Sequence, residues 1–285
     1  MMNPMRKRIR FGVAFLPLSS LLLLTGCSSS VSPAPTVAAI ADQSSTGNWQ
    51  IGAFQATATG LVAKTPVFAG ILTFDGAEVS GHLRPVALAG MTPCVPSSAV
   101  IDVAGTVDAQ RRVSFASANL PGGILSVSGT LAEDGKSLTS ASYSVAGGTC
   151  GFAQPASGLA ISVSPVALFT LPAGSHSGNV TTGDPESPTV PVTATVTTSN
   201  ASPDGSMYDL TGKIAFIGNA AQCVVGDEEG TGTVSGSAVT INSGNVVTNG
   251  IIPSDGSSIT LSYSFNSGDC MGSTGSGVLY PVAAH

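Results

Sequence analysis

The chain repeats itself, and that repetition narrows its possible folds more than any other feature of its 285 residues. Asp134-Gly135-Lys136-Ser137-Leu138-Thr139 is followed by Ser142-Tyr143-Ser144 and then Cys150. Asp255-Gly256-Ser257-Ser258-Ile259-Thr260 is followed by Ser262-Tyr263-Ser264 and then Cys270. Upstream, Gly105-Thr106-Val107 and Val113-Ser114-Phe115 match Gly232-Thr233-Val234 and Val239-Thr240-Ile241. Further upstream, Gly70-Ile71-Leu72-Thr73-Phe74 matches Gly212-Lys213-Ile214-Ala215-Phe216, each ahead of a cysteine. Matches that keep one order across both halves indicate a duplicated unit. The fold must be one that a chain can build twice in tandem.

Each copy reads as β. Ile259, Leu261, Tyr263 and Phe265 alternate with Thr260, Ser262 and Ser264, and Val190, Val192, Ala194 and Val196 alternate with Pro191, Thr193, Thr195 and Thr197. A period of two puts the apolar residues on one face and the hydroxyls on the other, as in an antiparallel sheet with one wet side. Asp-Gly pairs at 75–76, 134–135, 204–205 and 255–256 supply hairpin turns. The expected fold class is all-β: two tandem antiparallel meander units of about eight strands each, as small barrels or sandwiches. The first unit is expected over residues 47–165 and the second over 190–285. Residues 166–189, with Pro172, Pro185, Pro188, Gly174, Gly178 and Gly183, read as a linker.

The N-terminal end carries a different signal. Arg6, Lys7, Arg8 and Arg10 precede an apolar run over residues 11–24, and Leu24-Thr25-Gly26-Cys27 follows directly. The 14 residues of the run are interrupted by Pro17, Ser19 and Ser20, whereas a membrane span needs roughly 20. A basic segment, a short apolar run and small residues before a cysteine make a bacterial export signal. Leu24 to Cys27 resembles the lipobox of bacterial lipoproteins. That resemblance implies a signal peptide over 1–26, a lipidated Cys27 as the first mature residue, and a membrane partner engaged through acyl chains. With Ser28 rather than Asp after the anchor, it further implies the outer membrane. Residues 27–46, Ser-rich with Pro33 and Pro35, read as a flexible tether of roughly 25 Å.

Removing that leader takes away four cations and no acid, shifting the net charge from −6 to about −10. An acidic chain whose only adjacent cations are Arg111-Arg112 is a poor match for nucleic acid. Four cysteines remain besides Cys27. An even number in an exported chain reads as disulfides rather than zinc, since no Cys-x-x-Cys or His-x-x-x-His pair accompanies them. Equivalent cysteines of a duplication should behave alike, which predicts Cys94–Cys150 and Cys223–Cys270. Each bond would close a loop of about 50 residues and contribute roughly 3–4 kcal/mol.

Catalytic constellations are not evident. His82 reads as a solvent-facing strand residue, and His285 is the last residue. His176 sits at the centre of Gly-x-His-x-Gly, where a nucleophile elbow needs serine before a helix. Asp227-Glu228-Glu229 reads as a solvated acidic loop, because three consecutive acids on a strand do not converge on one calcium ion. No spacing matches a P-loop or a dinucleotide turn, so no cofactor is expected. Gly47-Asn48-Trp49 resembles the Gly-x-Trp of lipocalin-like barrels, which implies an indole closing the barrel floor and a possible ligand cavity at Trp49. The wider pattern over 47–285 resembles bacterial lipoproteins with repeated β modules, implying location and fold but no activity. The leading expectation is a lipid-anchored, non-enzymatic envelope protein with a structural or binding role, whose partner is another envelope protein or a small apolar ligand. A lipocalin-like binder of a small apolar ligand is the alternative, and a carbohydrate-acting enzyme the weaker one.

Overall fold

The computed structural model describes residues 45–57, 60–63, 65–88, 95–118, 124–146, 165–182, 188–216, 227–268 and 271–283. All fall in one compact unit, Val37–His285, and every element among them is a β-strand. The first barrel is built from β1 (Ser45–Ile51), β4 (Phe68–Asp75), β5 (Glu78–Pro85), β6 (Ile101–Val107), β7 (Arg112–Ser117), β8 (Ile124–Leu131), β9 (Ser137–Ala146) and β10 (Val166–Phe169). A small hairpin, β2 (Gln55–Thr57) with β3 (Gly60–Val62), interrupts the connection between β1 and β4. The second barrel is built from β11 (Gly174–Thr181), β12 (Thr189–Ala201), β13 (Tyr208–Phe216), β14 (Asp227–Ser235), β15 (Ala238–Ser243), β16 (Val246–Ile251), β17 (Ile259–Phe265) and β18 (Thr274–Pro281). Both are closed, antiparallel, eight-stranded meanders, so the expected pair of β units is present and takes the barrel form. The four Asp-Gly glycines all take positive φ, between 59° and 70°, as tight turns require.

The expected linker over 166–189 is a correction. Val166–Phe169 closes the first barrel by pairing with both β1 and β9, and Gly174–Thr181 closes the second by pairing with β12 and β18. Only residues 170–173 connect them. Glycine misled the reading because here it serves close approach: a Cβ on Gly178 would run into the Val278 carbonyl of the closing strand. The first barrel also begins at Ser45, inside the span expected to be tether.

Counted outward from Gly105 and Gly232, the ladders superpose β1 on β11, β4 on β12, and so on to β10 on β18. The match of Gly70–Phe74 with Gly212–Phe216 is therefore one strand out of step: the former lies on β4, whereas β13 corresponds to β5. Trp49 faces Gly70 and Leu168 across its two ladders, and His176 faces Ala194 and Pro281 across the equivalent two. The second barrel thus places a histidine where the first has its tryptophan. Tyr143 and Tyr263 are also equivalent, the first bonding the connection after β1 and the second the last residue of β11. Tyr143 donates to the Pro66 carbonyl (2.5 Å) and Tyr263 to that of Thr181 (2.7 Å).

The barrel interiors differ in filling. Eight strands enclose a lumen that side chains can just occupy. In the first barrel Trp49 is fully buried, its ring 4.9 Å from Phe74, among Phe68, Leu72, Phe115 and Tyr143. In the second, Val192 stands for Phe68, Ile241 for Phe115 and Thr248 for Val127. The smaller set leaves a cavity of about 40 Å³ bordered by Ala194, Ile241, Thr248 and Leu261.

One end of the second barrel rests on the outer face of the first. Asn48 and Gln50 point away from the Trp49 side of β1 yet are buried. Asn48 Nδ2 donates to the Gly236 carbonyl (2.7 Å), its Oδ1 accepts from the Gly236 amide (2.5 Å), and Gln50 Oε1 accepts from the Ser237 amide (2.9 Å) and hydroxyl (2.8 Å). Gly236-Ser237 is the two-residue turn between β14 and β15, and its first position needs φ > 0 (Gly236, +58°), as in a type II′ hairpin. A Cβ on Gly236 would lie 2.9 Å from both Ala69 Cβ and Gln50 Cβ. Gly236→Val should therefore cost about 2–4 kcal/mol through strain and clash, and Asn48→Ala about 1–3 kcal/mol through orphaned turn groups. Urea denaturation followed by fluorescence and circular dichroism checks both. An unchanged midpoint for Gly236→Val would mean that the turn does not dock.

Candidate functional site

The junction brings polar side chains of both barrels together. The hairpin connecting β12 and β13 contributes Ser202, Asp204 and Ser206, and the outer face of β5 contributes His82 and Arg84. Asp204 Oδ1 accepts from the Ser206 hydroxyl (2.6 Å), the Ser202 hydroxyl (2.8 Å) and the Ser206 amide (3.0 Å). The Arg84 guanidinium pairs with Asp204 Oδ2 and donates from Nε to the Ser206 hydroxyl (2.6 Å). Partial burial pushes the Asp204 carboxyl up, but the Ser206 and Ser202 hydroxyls, the Ser206 amide and Arg84 outweigh it and hold the carboxyl well below the usual carboxylate range. Both Asp204 oxygens and the Ser206 hydroxyl are already partnered. It reads as a clamp between barrels, not as a nucleophile with its base.

His82 Nδ1 lies 2.7 Å from Asp102 Oδ1, with side chains 47% and 74% exposed. That pair has the base-and-orienter half of a triad, but the Ser206 hydroxyl nearby is buried and committed to Asp204 and Arg84. His176 is 3% exposed, with Nδ1 3.2 Å from the Gly174 carbonyl; the sequence treated its motif as an accident, and its role is the Trp49 position of the second barrel. Asp227, Glu228 and Glu229 open β14 rather than forming a loop, and Glu229 stands opposite Lys213 on β13. Among the described residues no group of three or more His, Cys, Asp or Glu is placed to hold a metal ion.

Trp49 is not among the residues that border the cavity of the second barrel. Its indole N–H is buried and has no hydrogen-bond partner among the described residues, while its ring is packed against Phe74. The internal cavity belongs instead to the second barrel. Cys27, Cys94, Cys150, Cys223, Cys270 and His285 lie outside the described residues.

Sequence reasoning missed the groove beside the junction. It measures about 960 Å³, within the range of ligand sites, and runs between the outer face of the second barrel and a wall made by β3 and residues 85–88. No family model, no curated protein and no solved structure matches this chain.

Acid titration tests the clamp. Asp204 has a folded pKa below its unfolded one, so its stabilisation is complete above about pH 5 and is lost as pH falls below about 4 toward the depressed folded value. Asp204→Asn should lower stability at pH 7 by about 1 kcal/mol, the half-exposed setting screening the pair. It should also flatten the fall in urea midpoint between about pH 5 and pH 2. A parent-like acid limb in the variant would show that the clamp carries none of it.

Proposed function

We propose that this protein is an exported, lipid-anchored component of the bacterial envelope, in which two locked β-barrels on a short tether serve a binding or structural role. The observation that carries the reading is the run from Arg6 to Cys27: basic residues, a 14-residue apolar stretch, then Leu-Thr-Gly-Cys. Two acyl chains at about 0.8 kcal/mol per buried methylene would hold the chain durably on a membrane. Metabolic labelling with palmitate should mark the parent chain and leave Cys27→Ala unlabelled and released from the membrane fraction. Equal labelling of the two would remove the anchor from this reading.

The disulfide pairing gains topological support. Residues 86–100, holding Cys94, join β5 to β6, and residues 147–165, holding Cys150, join β9 to β10; alternation of strand direction sends both connections out of the same barrel end. Residues 217–226, with Cys223, and 266–273, with Cys270, stand in the same relation in the second barrel. Peptide mapping without reduction should therefore join Cys94 to Cys150 and Cys223 to Cys270. Removal of either bond should cost about 3–4 kcal/mol, and a peptide joining Cys94 to Cys223 would contradict the pairing.

The apolar-ligand alternative fares less well. Trp49 is packed among Phe68, Leu72 and Phe74, and a cavity of about 40 Å³ in the second barrel is well short of the roughly 150 Å³ that admits benzene. A carbohydrate-acting enzyme has less support still, because the junction's carboxylate is bound up with arginine and two serines.

A further inference from the structure

We propose that the groove beside the junction binds an uncharged glycan chain, laid across the strands of the second barrel; this deepens the binding role proposed above and rests on it. The floor carries the argument. Thr233 faces Thr240, Thr240 faces Asn249, Asn249 faces Ser262 and Ser262 faces Ser276, in unbroken register across β14 to β18. Thr181 of β11 extends the row, its hydroxyl bridging the Ser276 amide (3.0 Å) and carbonyl (3.1 Å). All six side chains line the one groove. Neighbouring strands stand about 4.8 Å apart, so the row offers a polar group at about that interval around the curved outer face of the barrel. A linear polysaccharide repeats hydroxyls at nearly the spacing of one sugar per strand.

Three further features select the ligand class. Leu61, Val86, Ala87 and Leu88 form the facing wall, and a pyranose ring offers C–H faces to such a wall while its hydroxyl edges meet the floor. The floor also retains hydrogen-bonding capacity: Thr240 donates to Asn249 Oδ1 (3.2 Å), which leaves the Asn249 amide N–H groups to donate outward. Among the described residues the Thr233, Ser262 and Ser276 hydroxyls have no protein partner, so they too face the ligand. Charge decides between a neutral and an ionic occupant. Among the described residues the one ionic side chain lining the groove is Arg84, neutralised by Asp204, on a chain of net charge −6. Nothing there rewards an anion, and the overall field repels one.

The duplication provides its own control. Thr106, Ser114, Ser128 and Ser142 form the equivalent row on the first barrel, again in register. Thr106, Ser114 and Ser128 of that row are exposed.

The detergent-extracted full chain is titrated by calorimetry with cellohexaose and N-acetylchitohexaose, with an oligogalacturonate as the anionic counterpart and an extended Gly/Ser peptide as the polypeptide one. Saturable binding of a neutral oligosaccharide is expected, little changed by salt. Asn249→Leu with Ser262→Leu should weaken it about tenfold, the loss of roughly two hydrogen bonds, with an unchanged melting curve because both side chains point outward. Ala87→Glu, on the wall, should weaken it too, and Ser114→Leu with Ser128→Leu on the open row should not. Absence of saturable binding to both neutral hexasaccharides would overturn the proposal. So would equal or tighter binding of oligogalacturonate or of the peptide, or an equal loss in the first-barrel variant. Lipidation at Cys27 does not enter this measurement, so a failed titration leaves the anchored-envelope reading standing, and an unlabelled chain that still binds glycan leaves the groove standing.

Discussion

Two buried amides hold this molecule together. Asn48 and Gln50 sit on the outer face of β1, where a strand of an isolated barrel would meet water. They are buried because the Gly236-Ser237 turn covers them, and they are tolerated because that turn returns four hydrogen bonds. A buried amide without partners costs about 1–3 kcal/mol, so neither side of the contact would stay dry and unpaired on its own. The turn is equally committed, since Gly236 has no room for a side chain between Ala69 and Gln50. With only residues 170–173 between the barrels, the connection is too short to let them part and reseat elsewhere. The clamp of Arg84 and Asp204 and the groove beside it follow from this docking.

Duplication left the ladders alike and let the side chains diverge. Inside, His176 stands at the Trp49 position and Ile241 at the Phe115 position, and the second barrel holds a small cavity. Outside, Asn48 and Gln50 correspond to Ser175 and Ser177, which cannot reach a docking turn as an amide does. The first barrel can receive a neighbour through its β1 face, and the second has lost that amide pair. Divergence at a few outward positions on a single strand is thus enough to give the array a receiving member and a presenting one.

Much of the strand pattern was readable because alternation is a local property: Ile259, Leu261, Tyr263 and Phe265 face inward just as their spacing demands. The barrel closure was not readable. Val166–Phe169 is a four-residue run with no alternation, and Gly174-Ser175-His176 looks like loop; both become strands only because the partners across the barrel need a closing edge. The equivalence of His176 with Trp49 was hidden for the same reason, since it appears in ladder register and not in residue likeness. The Gly236-Ser237 turn lacked the Asp-Gly signature, and no local signal marks a turn as a docking element. Of the groove's row, alternation marked Ser262 as an outward hydroxyl; what joins it to Thr240, Asn249 and Ser276 is pairing register, and what makes the row a groove is a wall from another barrel.

Closure also explains the unusual surface. An open sheet this poor in charge, with 9% of its residues ionic, would present unpaired edges for other chains to join. Natural sheets guard such edges with lysine, proline or bulges, and this chain has few lysines to spend. Its remedy is geometric: β1 pairs with both β4 and β10, and β11 with both β12 and β18, which leaves neither barrel an edge. Outward positions are then released from guarding duty and can be hydroxyls on nearly every strand. The same closure that removes the need for surface charge is what permits an uninterrupted neutral row such as the one from Thr233 to Ser276, because a charged gatekeeper on any of those five strands would break it.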